Sequence, residues 1–186
     1  MDKTELRDIL VAWMALSVAF MIATRKISVE YLFIFLFIIA VSFLTHEFAH
    51  RQVAKRLGYD AKFEMWPFGL LLAILSSLGG FIFAAPGAVV IYQKRIVHES
   101  RKKIADANFK IAVAGPLSNI ILSIVFLILS ITFRMELFYL AAYINALLAV
   151  FNLLPIPPLD GSKVFQYNSK TWLPVFLIAL GLYLML

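Results

Sequence analysis

The sequence contains no cysteine and little charge. Without cysteine, disulfides and thiolate metal ligands are excluded, so a metal would have to be bound through histidine, aspartate or glutamate. Only 15% of the 186 residues are charged, whereas 62% are hydrophobic and the mean hydropathy is +0.90. Soluble globular domains contain roughly 45 to 50% apolar residues. The composition therefore predicts a membrane protein rather than a water-soluble one.

The sequence also lacks a long run of basic residues, although its formal net charge is +6. The lysines and arginines lie in short loops between apolar segments, a pattern that is typical of orientation signals in membrane proteins. We therefore expect a lipid bilayer as the surroundings of the chain and no nucleic-acid partner.

Apolar segments that can cross or enter a bilayer occur along the whole chain, about 20 residues being needed for a full span. They cover residues 9–24, 29–57, 68–92, 109–133, 137–155 and 172–186. Segment 9–24 is interpreted as a retained span, since no signal-peptide cleavage site is followed by a hydrophilic region. We expect a single domain over residues 1–186, all-α and polytopic apart from the third segment.

The third segment is interrupted by turn-forming residues, including Gly79, Gly80 and Pro86. Backbone that is not helical is tolerated at membrane depth only where protein or a water-filled cavity covers it. We therefore predict a re-entrant loop flanked by short strands at about 61–66 and 81–91, a small membrane-associated β element. The polar stretch 93–107 is interpreted as a surface loop with some helix.

The basic residues also predict an orientation. With the N-terminus in the cytoplasm and the third segment re-entrant, fourteen lysines and arginines lie inside and three lie outside. The three outside are Arg25, Lys26 and Arg134. This topology predicts a multi-pass protein of the cell membrane, with the polar ends of the second and fifth segments on the cytoplasmic side.

The second apolar segment ends in a motif that is typical of zinc enzymes, His46-Glu47-Phe48-Ala49-His50. Imidazoles four residues apart share one helix face and can bind one metal ion. Catalytic zinc takes three protein ligands and leaves a fourth position open. Glu47 follows the first ligand, so it is the candidate general base that accepts a proton from water. Ionisable residues at bilayer depth are costly and usually functional, which favours this hypothesis over simple packing.

Asp160 is the candidate third ligand, chosen by elimination. His98 and the other acidic residues lie at chain ends or in predicted loops and interfaces. Asp160 directly follows an apolar span and a segment with three prolines, which restrict the backbone and terminate the helix. Such a segment can hold a carboxylate rigidly. The sequence therefore predicts a zinc site formed by His46, His50 and Asp160.

Two motifs together resemble the site-2 protease family of intramembrane zinc metalloproteases. The family hallmarks are H-E-x-x-H on one membrane helix and N-x-x-P-x-P-x-L-D-G on a later one, which stand here at 46–50 and 152–161. Between them, Gly115-Pro116-Leu117-Ser118-Asn119 resembles the G-P-x-x-N element of an intervening core helix. For Gly115 and Asn119 we favour a role in close helix packing over one in chemistry.

The resemblance implies a three-helix catalytic core at about 33–161, flanked by spans at about 9–24 and 172–186. It implies a zinc endopeptidase that uses metal-activated water, with membrane-spanning helices of other proteins as substrates and a site near the cytoplasmic side. It also implies that Asn152 binds the developing oxyanion or positions substrate, beside a purely structural role at the helix end. We expect no appended PDZ or CBS domain.

Two functions of other classes stay open on the sequence. A zinc-transporting membrane protein would also place histidines and carboxylates within helices. A catalytically silent protein of the same fold would keep the architecture without the reaction, although Glu47 argues against it.

Overall fold

The computed structural model describes residues 2–83, 85–93 and 100–186. Within these residues the chain forms seven helices and one two-stranded sheet. Their order is α1 Lys3–Ala23, α2 Val29–Arg56, β1 Tyr59–Met65, α3 Pro67–Ser77, β2 Gly87–Gln93, α4 Arg101–Phe133, α5 Glu136–Asn152, α6 Asp160–Tyr167 and α7 Ser169–Met185. The expectation of a mostly helical membrane protein with a small β element is confirmed.

Three of the helices, α1, α2 and α4, are long and apolar enough to cross a membrane. The apolar helices α3, α5 and α7 are shorter. Polar side chains cap the long helices, because the first amides of a helix lack partners within it. Asp2 accepts a hydrogen bond from the Glu5 amide, Ser28 from the Tyr31 amide and Ser100 from the Lys103 amide.

Helices α2, α4 and α5 pack against one another and form the centre of the molecule. Their contact includes buried amide and hydroxyl groups as well as apolar side chains. Nδ2 of Asn119 lies 2.9 Å from Oδ1 of Asn145, whose own Nδ2 donates to Oγ of Ser42 at 2.8 Å. All three side chains are fully buried. Helix α1 packs on α2 and α3, and α7 packs on α5, so both flank this three-helix core.

The third apolar segment differs in detail from its prediction. Residues 67–77 form the helix α3 rather than a loop, with Pro67 at its first position, where a missing N–H is harmless. The second strand begins at Gly87 instead of residue 81, so the earlier boundary was wrong. Residues 78–83, 85 and 86 return the chain from α3 to β2, which pairs antiparallel with β1.

The polar stretch 93–107 was predicted as a loop with some helix. Helix α4 begins at Arg101, so Arg101, Lys102 and Lys103 in the second half of this stretch are helical. Residues 94–99, which include His98, lie outside the described residues, as do Met1 and Ala84.

One side-chain network ties α1 to the outer edge of the sheet. Glu5 is only 2% exposed and accepts hydrogen bonds from the Phe63 amide at 3.2 Å and from Arg51 of α2 at 3.1 Å. Asp8 is also buried and lies 3.4 Å from the Met65 amide. Two carboxylates of α1 therefore bind the amides on the edge of β1 that faces away from β2.

Candidate metal centre

His46 and His50 lie one turn apart on α2, and their Nε2 atoms approach to 3.0 Å. Oδ2 of Asp160, the first residue of α6, lies 3.3 Å from Nε2 of His46 and 3.0 Å from Nε2 of His50. In a tetrahedral zinc site with bonds of about 2.0 to 2.1 Å, two ligand atoms are about 3.3 Å apart. The three side chains therefore fit a zinc ion, with small outward adjustments.

Both imidazoles are oriented by hydrogen bonds at their other nitrogen. Nδ1 of His46 lies 2.6 Å from Oδ1 of Asn119, and Nδ1 of His50 lies 2.7 Å from the carbonyl oxygen of Ile111. Because both partners are acceptors, each Nδ1 must carry the proton. The lone pairs of the two Nε2 atoms are then free for a metal, as in most histidine metal sites.

Helix α4 has a glycine, Gly115, at the position where it contacts the two histidines. A Cβ atom at Gly115 would collide with Nε2 of both His46 and His50. The next residue, Pro116, lacks an N–H, so the helical hydrogen bond that it removes is the one to the Ala112 carbonyl, one residue after Ile111. Gly115 therefore gives the two imidazoles space, and the Ile111 carbonyl gives His50 an acceptor.

Asn119 is a residue for which the sequence favoured packing, yet its amide group touches a candidate ligand. Its Nδ2 donates to the Ser42 carbonyl at 3.2 Å and to Asn145, while its Oδ1 faces His46. Asn145 and Ser42 were not singled out from the sequence. A signal existed, since an amide in an apolar membrane helix is costly unless it is paired.

Asp160 is held by the packing of its own helix against the end of α5. A Cβ atom at Gly161 would collide with the Leu153 carbonyl group, so only glycine permits this approach. The indole of Trp172 also donates to the Leu153 carbonyl at 2.7 Å.

A small cavity of about 30 Å³ opens beside these three side chains, and Glu47 contributes to its wall. This space can hold one or two water molecules. Oε2 of Glu47 is buried and has no hydrogen-bond partner among the described residues. An acceptor of this kind beside a water-sized space is suited to bind a water molecule.

Asn152, the last residue of α5, lines the same small cavity. Its Nδ2 donates to the Leu148 carbonyl one turn earlier, at 3.0 Å. This hydrogen bond is of the kind expected if Asn152 stabilises the end of its helix. Its role toward substrate stays a prediction.

Comparison with known proteins identifies a family to which the chain is similar. The chain matches the model of peptidase family M50 over residues 34–136 and 132–175. MJ0611 of Methanocaldococcus jannaschii, provisionally named a zinc metalloprotease, is 38% identical over 99% of this chain and 96% of its own length.

Two bacterial proteins with the same provisional name are also similar. YwhC of Bacillus subtilis is 33% identical over 68% of this chain and 64% of its own length. Rip3 of Mycobacterium tuberculosis is 33% identical over 67% of this chain and 28% of its own length. No solved structure gives a significant match.

Proposed function

The chain belongs to peptidase family M50, and from that premise we propose that it is an intramembrane zinc endopeptidase that cleaves membrane-spanning segments of other proteins. In this proposal His46, His50 and Asp160 bind zinc and Glu47 is the general base. The observation that carries it is the approach of two imidazole nitrogens and one carboxylate oxygen to within 3.3 Å, beside the unpaired oxygen of Glu47.

Zinc held by these residues would supply a Lewis acid that polarises the scissile carbonyl and lowers the pKa of water. Glu47 accepts the proton of the attacking water in the small cavity and passes it to the leaving amine. Asn119 and the Ile111 carbonyl keep the two imidazoles in the required tautomer.

A membrane-spanning substrate is helical, so part of it must unwind before its backbone can be attacked. The strand β2 lies over the site, and Gly87, Ala88 and Val89 line the cavity beside the histidines. We propose that the unwound segment adds to the free edge of β2, which replaces the hydrogen bonds that unwinding breaks.

The register of the sheet supports this edge. The amides of Phe63 and Met65 bind the carboxylates of α1. The backbone N–H and C=O groups of the odd-numbered residues of β1 therefore point away from β2. Phe63 is opposite Val89, so the amide and carbonyl of Val89 point away from β1 as well. The edge of β1 is occupied by α1, whereas Gly87, Ala88 and Val89 of β2 line the small cavity at the metal centre.

A proline at this edge tests the mode of binding. Val89→Pro removes an outward-pointing donor, and we expect about a tenfold loss of cleavage, the value of roughly one hydrogen bond. The zinc content should be unchanged. Val89→Thr keeps both the donor and the β-branched shape and serves as the control. Equal cleavage by the two variants would exclude binding along this edge.

The proposed environment is the cell membrane, with several passes and with the site near the cytoplasmic side. The support is the uneven distribution of basic residues and the presence of three helices able to span. The substrates in this proposal are helices of other membrane proteins. We also propose that residues 1–186 act as one catalytic domain.

The decisive experiment compares zinc content and cleavage of a model membrane-spanning substrate for the wild type, Glu47→Ala and Asp160→Ala. We expect Glu47→Ala to retain zinc and to lose roughly 10²- to 10⁴-fold in rate. Asp160→Ala should lose both zinc and cleavage. Glu30→Ala, an exposed glutamate at the other end of α2, is the matched control.

Retained cleavage in Glu47→Ala would contradict the mechanism. A wild-type protein that binds zinc but cleaves no membrane-spanning substrate would favour a transporting or catalytically silent protein.

A further inference from the structure

A second and larger cavity lies beside the candidate metal centre, between α1, α2 and the sheet. Its volume is about 370 Å³, within the usual range for binding pockets. Its wall is almost wholly apolar and includes Leu10, Trp13, Ala40, Leu44 and Phe63. We call it the α1–α2 cavity.

The α1–α2 cavity and the small cavity at the metal centre are neighbours, because Glu47 and Val89 line both. Glu47 is the proposed base, and Val89 is the residue whose amide faces the proposed substrate edge. A side chain in the α1–α2 cavity would therefore belong to a substrate residue close to the scissile bond. Side chains of an extended segment alternate between two sides, so one residue at the site can point into this space.

The polar part of the wall distinguishes a peptide from a lipid. Nε of Arg51, on the wall of this cavity, is buried and has no hydrogen-bond partner among the residues that the structure describes. A peptide segment offers a carbonyl for this donor, whereas the hydrocarbon part of a lipid acyl chain offers no acceptor. The cavity thus combines an apolar interior with an unpaired donor that matches a backbone carbonyl.

We infer that the α1–α2 cavity is the subsite for one large apolar side chain of the substrate, next to the scissile bond. This inference rests on the proposed function and specifies its substrate class. Segments with leucine, methionine or phenylalanine at that position are preferred over segments with glycine there. Differences of a few methylene groups in an apolar pocket give discrimination of about tenfold to a few hundredfold.

The first experiment fills the cavity and measures selectivity. Two substrates differ only by leucine or glycine at the residue next to the cleaved bond, and kcat/KM is compared between them. Ala40→Phe should lower the preference for leucine at least about tenfold, mainly through KM. Val11→Phe adds similar bulk to the exposed face of α1, outside the cavity, and should leave the preference unchanged. Zinc content is measured for both variants.

The second experiment does not depend on catalysis. Trp13 lines the cavity, so a peptide carrying bromophenylalanine should quench its fluorescence in the zinc-free protein. The signal of Trp13 is the difference between wild type and Trp13→Phe. We expect quenching in the wild type and in Val11→Phe, and at least a tenfold weaker affinity in Ala40→Phe.

A lipid control uses bilayers with brominated acyl chains. If the brominated lipid quenches Trp13 and an added substrate peptide without bromine does not reverse this quenching, the cavity holds a lipid. That result would overturn the inference. The inference would also be overturned if both substrates are cleaved and the preference for leucine over glycine is the same in the wild type and in Ala40→Phe. That result would leave the proposed function intact. Absence of any cleavage by the wild type would count against the proposed function, and the quenching result would then decide the inference separately.

Discussion

The side-chain amide oxygen of Asn119 lies 2.6 Å from Nδ1 of His46, although 73 positions separate the two residues. The same amide group is bound to Asn145 and to the Ser42 carbonyl, so its orientation is determined by α2 and α5. Through this contact the packing of three helices sets the direction of one candidate zinc ligand.

Asn119→Ala should therefore weaken zinc binding. Loss of a hydrogen-bond partner behind a metal ligand lowers metal affinity by about 10- to 100-fold. Affinity is measured by competition with a zinc chelator in detergent micelles. Ser118→Ala is the control, because Ser118 donates to the carbonyl of Gly115 on its own helix and binds no other side chain among the described residues. Equal zinc affinities of Asn119→Ala and Ser118→Ala would show that the contact does not support the metal.

Gly115→Ala should lose zinc without unfolding. The added methyl group would occupy the space of the Nε2 atoms of His46 and His50, while alanine is a better helix former than glycine. We expect a loss of zinc affinity of at least about tenfold, which is the lower limit for removal of a hydrogen-bond partner behind a metal ligand. Circular dichroism should show unchanged helix content. Gly181→Ala, where an added Cβ meets nothing within 4 Å, should retain zinc as the wild type does. Full zinc occupancy in Gly115→Ala would contradict the geometry of the site.

Glu5→Ala should destabilise the fold. Its buried carboxylate is bound to Arg51 and to the Phe63 amide, and Arg51 is 25% exposed. Removal of one partner from a buried ion pair costs about 3 to 5 kcal/mol, and partial exposure of Arg51 favours the lower value of about 3 kcal/mol. The free energy of unfolding in mixed micelles tests this expectation.

Glu30→Ala is the control for this variant, with an expected change of less than about 0.5 kcal/mol because Glu30 is exposed. The double variant of Glu5→Leu with Arg51→Met should recover part of this stability, because it leaves no unpaired charge, although the Phe63 amide then lacks its acceptor. A Glu5→Ala protein as stable as Glu30→Ala would mean that α1 does not fasten the sheet through this pair.

The proposed orientation can be tested directly because the chain has no cysteine. Single cysteines replace Lys170, near the start of α7, and Met135, in the turn between α4 and α5; both are exposed. A membrane-impermeant maleimide should label Met135→Cys in intact cells and Lys170→Cys only after permeabilisation. The reverse pattern would place the candidate site on the outer side. A lysate treated with detergent provides the reference for full labelling.

Part of this protein follows from short-range features of its sequence. Membrane residence follows from composition, and the shared face of His46 and His50 follows from their spacing of four residues, because helix geometry places such neighbours together regardless of the rest of the fold. The prolines before Asp160 similarly predict the end of a helix there. The elimination that selected Asp160 used the same local signals, and the structure places its carboxylate beside the two histidines; its role as a zinc ligand stays a prediction.

Other features depend on contacts between distant parts of the chain. The helix at 67–77 could not be distinguished from a loop, since short apolar runs with turn formers are ambiguous by periodicity. The link from Asn145 to Ser42 spans 103 positions, and the α1–α2 cavity exists only where α1, α2 and the sheet meet. A sequence pattern shows which residues share a helix face. The face each helix presents to its neighbours, and the space left between them, depends on the packing of all the helices together.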